Sequence, residues 1–429
     1  MTVTGEAPSA DPVARRPTGA SGFWPNRTTW PIWAFTAGMP FAFALGLHGM
    51  VWCLPAVVLG SRILLSKKVR FPRSTIPLVL FVLWALLSAT VIPTGTGYIL
   101  FTYRWLLFAG ALASLVWIVN MPEDKVSSDQ IVDWLAWLFI ALVVFGYLGI
   151  AAPHFAMKSP FQLMLGSAGN RGFSIEITSW RLAETQGFLG HPLPRPAAPF
   201  GGTNGWGAAM GILTPFFIRS WIVGVDAARR RRGYVIGALA LYPIVISVNR
   251  GLWISLGVGL VYYAARKALR GRLGPVLVLA GVALWLVLAL LFTPMGTLVS
   301  NRLNSSGTTR SNNTRADLYH LAFQGAKDSP LIGNGTPTRE ADAPVGTPPV
   351  GTHGLIWYLM FVHGFVGLGL FMTWLIIEVI RSGRVRRSNT WWTHLSLLMA
   401  LVEVPFYGLL PQVVIFGVAA GLAHREDVA

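Results

Sequence analysis

Long apolar runs recur from Trp30 almost to the end of the chain, and they constrain the fold more than any other feature. Each is about 17 to 25 residues, enough for a helix to cross the hydrocarbon core of a bilayer. In lipid, backbone N–H and C=O groups must be satisfied within a helix or in a closed barrel. The runs are too long and too uniformly apolar for barrel strands. The expected fold class is therefore all-α, a polytopic integral membrane protein. Of 429 residues, 53% are apolar and 12% charged, where a soluble chain carries roughly a quarter charged.

The formal net charge of +17 raises the question of nucleic acid. Its distribution answers against it. Lys and Arg gather in short segments between apolar runs, at "KKVRFPR" from Lys67, "RRRR" from Arg229, "RKALRGR" from Arg266 and "RSGRVRR" from Arg381. Basic connections of this kind stay cytoplasmic and attract anionic lipid. With the four clusters on one side, about twelve helices thread the membrane, at roughly 30–47, 49–65, 75–92, 98–119, 131–152, 204–224, 233–249, 251–266, 275–293, 353–380, 391–408 and 410–424. Both termini are then cytoplasmic. Residues 1–29, polar and rich in Pro, Ala, Gly and Ser, read as a disordered tail. The catalytic domain spans 30–424, and 425–429 form a second tail. No short apolar core with a small-residue cleavage site follows the N-terminus, so no removed signal peptide is expected. Cys53 is the lone cysteine, so no internal disulfide holds the loops.

Two long loops, roughly 153–203 and 293–352, fall on the extracytoplasmic side, and loops of that length are commonly functional. Within the second, Thr314 to Ala326 has helical spacing. Leu318, Leu321, Ala322 and Phe323 share a face, Asn313 or Thr314 is the N-cap, and "SPLIGNG" breaks the helix. Three features meet this membrane surface. Arg250 sits in "SVNRGLW", a tight turn between apolar runs, on the side where a snorkelling Arg is disfavoured. Arg315 opens the loop helix, at its anion-favouring end. His353 with Gly354 closes the second loop, and Gly364 and Gly367 follow, permitting close helix approach.

Taken in order, Arg250 in "NRG", Arg315 upstream of "SPLIGNG", and "HG" followed nine residues later by "GFVG" resemble the O-antigen ligase and polymerase superfamily. "TNGWGAAMGILTPFF", with Asn204, resembles that family's Asn-containing helix after its first long loop. The likeness runs over roughly residues 200–370. Three departures stand out: Asn249 in place of Ser before Arg250, Tyr319 in place of Trp, and Gly354 in place of an amide or hydroxyl residue after His353.

The resemblance implies a GT-C-like membrane glycosyltransferase. Its reaction would be inverting transfer of a glycan from a polyprenyl pyrophosphate carrier to an acceptor hydroxyl on the extracytoplasmic side. Arg250 and Arg315 would bind the pyrophosphate, with Arg104 in "FTYRWLLF" as a third cation. His353 would be the base, with Asn204, Tyr319, Gly354 and Glu403 in support. Glu403, in an apolar run, would pair with Arg250, orient His353, or serve a polar contact between helices. In the first loop, Arg171, Arg181, His191 and Arg195 are weaker candidates for sugar contact, and Trp180 and Trp206 could stack on a sugar ring. The partners implied are the lipid-linked donor, a glycan, lipid or protein acceptor, and membrane lipids. No cofactor is implied; the loops hold few acids and no Asp-x-Asp, and "EAD" from Glu340 is a weak substitute, so no metal is expected. A polymerase joining lipid-linked repeat units remains the alternative. A transporter is more distant, since no internal repeat is visible.

Overall fold

The computed structural model describes residues 23–93, 95–170, 172–188, 191–292, 306–338, 349–384 and 390–426. Its principal helices are α1 (Ile76–Leu87), α2 (Gly95–Asn120), α3 (Ser128–Ala151), α4 (Thr203–Trp221), α5 (Ala227–Ile246), α6 (Arg250–Ala268), α7 (Gly274–Phe292), α8 (Ser306–Asp328), α9 (Leu355–Arg384), α10 (Thr390–Glu403) and α11 (Val413–Glu426). Among the described residues, four segments are long and apolar enough to cross a membrane: Arg73–Val91, Gly95–Asn120, Ser128–Ala151 and Leu355–Arg384. The shorter apolar stretches Val51–Leu64 and Val413–Arg425 accompany them. The chain is thus mostly helical with membrane-spanning character. The first two expected spans are broken into short pieces, Trp30–Phe35, Met39–Leu45, and a 3-10, π and α succession from Val51 to Leu64. Pro31, Pro40 and Pro55 open these pieces, and a proline at a helix start cannot continue the ladder behind it.

The core is centred on α11, whose residues Val413–Phe416 are fully buried. A helix apolar on every side belongs inside a bundle. It lies against α2, where Gly417 and Gly421 face Ala111 and Leu115. A Cβ on Gly417 would sit 2.0 Å from the Ala111 carbonyl oxygen. Small residues four apart let helices come this close. α3 and α4 pair through the stacked rings of Phe139 and Phe217, 4.5 Å apart. Trp206 is fully buried there and donates to the Leu142 carbonyl at 3.0 Å, so it is a core residue and not a platform for sugar.

Residues 23–29, expected as part of the tail, are packed. Phe23 meets Trp33 and Trp137 edge-on, and its carbonyl accepts from Trp134 Nε1 at 2.9 Å. The first long loop is also built. β1 (Ala156–Met157) pairs antiparallel with β2 (Trp180–Arg181), and β3 (Ala183–Phe188) with β4 (His191–Pro196). The second contains α8, which begins at Ser306, well before the expected cap at Asn313 or Thr314. Ser, Thr, Gly and Asn are weak helix formers, which is why the sequence underestimates it. Arg315 therefore lies inside the helix, away from its dipole end. The buried stripe of α8 is Leu318, Ala322 and Ala326, whereas Phe323 is 40% exposed.

Candidate functional site

Helices α6 and α9 each carry an expected site residue at their N-terminal end and a basic cluster at the other. α6 runs from Arg250 to Arg266 and Lys267; α9 starts two residues after His353 and ends at Arg381 and Arg384. The basic ends meet, since Arg266 Nη2 donates to the Gly383 carbonyl at 3.3 Å. The N-terminal ends therefore share the opposite end of the bundle.

The Arg250 turn is held from three directions. Asn249, 1% exposed, caps α6 by accepting from Leu252 N, and its amide donates to the Thr203 carbonyl at 3.1 Å. Arg195 Nε donates to the Ser247 carbonyl at 2.6 Å, and its Nη1 to Gln186 Oε1 at 2.7 Å. Arg195, a weak candidate for sugar contact, is thus a buried tie from the β3–β4 hairpin to this turn. From above, the Tyr407 hydroxyl accepts from Leu252 N at 3.0 Å. A Cβ on Gly251 would fall 2.3 Å from that hydroxyl, so only glycine fits after Arg250. Val248 is held at φ 48, a region a β-branched residue rarely enters. Such strain persists only where the surroundings over-determine it. Asn204, one residue past the Thr203 contact, is exposed at the start of α4.

His353 and Gly354 are seated on the segment after α10. Leu355 N donates to the carbonyls of Val404 (2.9 Å) and Tyr407 (2.7 Å). Gly354 adopts φ 102, and a Cβ there would meet the Pro405 carbonyl oxygen at 2.4 Å. The departure from an amide or hydroxyl residue at this position has a steric cause. Thr352 Oγ1 donates to the Pro349 carbonyl at 2.7 Å and lies 3.2 Å from His353 Nδ1. A hydroxyl has one proton. With that proton committed, Nδ1 is the donor to Thr352, and Nε2 keeps its lone pair.

α8 brings Arg315 and Tyr319 to this point, one turn apart on one face. Tyr319 stacks on Trp357 in the first turn of α9, ring centroids 4.4 Å apart. Burial raises the Tyr319 hydroxyl above its ordinary value, and the charges of Arg315 and Arg250 pull it back. Burial also lowers the His353 imidazole, and Arg315 lowers it further. Tyr407 too feels the Arg315 charge. Arg315 thus lies within electrostatic reach of Tyr319, His353 and Tyr407, and Arg250 within that of Tyr319.

α8 is fastened at its far end. α9 kinks at Gly364, φ 70, and the chain after α8 supplies the broken ladder. Phe365 N donates to the Pro330 carbonyl (2.8 Å), Asn334 N to Phe361 (2.9 Å) and Gly335 N to Val362 (3.1 Å). A Cβ on Gly364 would lie 2.3 Å from the Leu331 carbonyl oxygen. The close approach that Gly364 permits is to this loop, not to a neighbouring helix. "SPLIGNG" and "HGFVG" are two halves of one joint.

Two further expected residues have different surroundings. Arg104 on α2 lies over the Tyr358 ring, 5.2 Å from its centroid, with Nη1 buried and without a hydrogen-bond partner. Glu403, fully buried, lies beside Gly211 and Ser255, in space that the missing Gly211 side chain leaves. Neither of its carboxylate oxygens has a hydrogen-bond partner. In the first loop, Trp180 is spent on the Phe43 carbonyl (2.6 Å) and Arg181 on Ala183 (3.3 Å). Arg171, Glu340 and Asp342 lie outside the described residues, and the His191 side chain is likewise not described. Thr352, Trp357 and Tyr407 were not legible as site residues. Their only sequence signal is polarity or aromaticity beside an apolar run.

The comparison with curated proteins finds no match. Residues 235–372 match the family model described as O-antigen ligase, a segment that holds Arg250, Arg315, Tyr319, His353 and Gly354. Asn204 and Arg104 precede it, and Glu403 and Tyr407 follow it. This O-antigen ligase domain supports membership of the O-antigen ligase superfamily and a ligase- or polymerase-type handling of glycans.

Proposed function

We propose that the protein transfers a glycan from a polyprenyl pyrophosphate carrier to an acceptor hydroxyl, with inversion and without a metal, on the extracytoplasmic face. The observation that supports this reading is that Arg315 acts on His353, and Arg315 and Arg250 both act on Tyr319, at the bundle end opposite the basic clusters. The acceptor O–H gives its proton to His353 Nε2 as the oxygen bonds to the anomeric carbon. The bond from that carbon to the pyrophosphate breaks, and its electron pair leaves with the lipid pyrophosphate. Arg250 and Arg315 donate to the leaving phosphates through forked, charge-assisted hydrogen bonds. Such bonds accelerate the reaction to the extent that they strengthen as leaving-group charge develops.

His353 suits the role of base because Thr352 fixes its tautomer and burial beside Arg315 keeps it neutral near pH 7. Tyr319 and Gly354 shape the approach, and Asn204 stands at its rim. Arg104 is a third cation, reached by a pyrophosphate that extends towards Tyr358. Glu403 supports the site indirectly, as the end of the helix whose following segment seats His353.

The test is turnover by the purified protein, given a polyprenyl pyrophosphate glycan and an acceptor extract, with release of lipid pyrophosphate as readout. Near-normal turnover by His353→Ala would refute the base assignment. Normal donor use by both Arg250→Ala and Arg315→Ala would move the pyrophosphate site elsewhere. Loss of activity on chelation would restore a metal mechanism. The glycan that accumulates on its carrier when the protein is removed separates ligation (a finished chain) from polymerisation (a single repeat unit).

A further inference from the structure

At the end of the bundle that carries the basic clusters, a cavity of about 400 Å³ opens between the segment before Trp30, the Arg62–Val69 stretch and the end of α2. Its size falls in the range of small-molecule sites, about 300–1,000 Å³. Three cations line it: Arg27, Arg62 and Lys68. Among the described lining residues there is no carboxylate. Arg62 is fixed in place, since Nη1 donates to the Thr28 carbonyl at 2.7 Å and Nη2 to the Arg27 carbonyl at 3.0 Å. A guanidinium has five donor hydrogens, so the fork retains capacity for an anion. Asn120 fixes the far lip by exchanging hydrogen bonds with the Arg70 backbone, at 2.7 and 2.9 Å.

The remaining wall is apolar, with Ile63, Val69, Trp117 and Met121. Beside it Leu64 and Leu65 are 86% and 84% exposed. Cationic head-room next to bare aliphatic surface is what a phosphate with an attached acyl chain requires. We infer that this cavity binds the phosphate headgroup of an anionic membrane phospholipid, with Arg27, Arg62 and Lys68 as its ligands and the acyl chains along Leu64 and Leu65. The site stands apart from the one proposed for glycan transfer and does not depend on it. It would also offset the repulsion of three like charges held together.

The test uses the full chain in detergent, titrated with phosphatidylglycerol, phosphatidylcholine or inorganic phosphate and followed by native mass spectrometry. The double variant Arg27→Gln/Lys68→Gln leaves the Arg62 bonds to both carbonyls intact. Two cations near a membrane surface together change anionic-lipid affinity by about 30-fold. Phosphatidylglycerol affinity should fall by that order in the double variant. It should hold in Arg231→Gln/Arg232→Gln, which removes two exposed charges elsewhere at the same end. Retained affinity in the first variant, or an equal loss in the second, would overturn the assignment. Equal binding of inorganic phosphate and phosphatidylglycerol, both lost in the first variant, would make this a free-anion site and overturn it too.

Discussion

The two ends of the bundle handle positive charge differently. At the basic end, outside the Arg27–Arg62–Lys68 cavity, four arginines are matched to acids: Arg219 to Asp129 (3.4 Å), Arg229 to Asp133 (3.1 Å), Arg381 to Glu378 (2.9 Å) and Arg425 to Glu123 (3.0 Å). Glu378 is fully buried and also takes Ser74 and His424. At the other end, Arg315 acts on Tyr319, His353 and Tyr407, and Arg250 on Tyr319, above a scaffold of backbone carbonyls and hydroxyls. Matched charges hold helices together. Charges gathered around titratable groups, beside a turn strained at Val248, suit the proposed binding of a charged donor.

Substitutions at the two ends should therefore fail in different ways. The largest loss is expected for His353→Ala, about 10²–10⁴ in turnover, with thermal unfolding little changed. Its counterpart, Glu378→Ala, should lower stability by about 3–5 kcal/mol, the cost of breaking the pair that the buried Glu378 makes with Arg381, while turnover per folded molecule persists. Thermal unfolding in detergent and lipid pyrophosphate release, measured side by side, check both. If the two variants behaved alike, the division between the ends would be lost. Next, Arg250→Ala and Arg315→Ala should each cost about 1.5–3 kcal/mol in kcat/KM for the donor. Gly354→Ala should destabilise by about 1–3 kcal/mol through its backbone conformation and the Pro405 contact, read as a lower Tm.

The smallest effect is in pH. The His353 imidazole titrates below its ordinary value of about 6.5, from burial first and Arg315 second. The neutral base is thus present above that lowered value, and kcat/KM falls as pH drops through it. Arg315→Gln removes one depressing charge, so the His353 titration followed by NMR should move upward. An unmoved titration would place Arg315 too far away to belong to the site.

The apolar runs and the order of Arg250, Arg315 and His353 were readable because both are local patterns. The division of the first two runs into short pieces was not, because apolar length alone does not show where a proline starts a new helix. Nor was the scaffold of the site. Tyr407 reaches Leu252 across 155 residues, and Arg195 reaches Ser247 across 52. A short motif carries no trace of partners so distant. Gly354 shows the same limit: its identity is set by Pro405, and the sequence around it offers no hint of that carbonyl.

The seating of Leu355 on the carbonyls of Val404 and Tyr407 has a consequence for biogenesis. A ribosome-bound chain ending before residue 404 already holds Arg250, Arg315 and His353, yet it lacks the carbonyls that receive the Leu355 N–H and seat the start of α9. On the proposed mechanism, the arrangement is completed only after the segment following α10 has been made, so a half-made molecule would be inert.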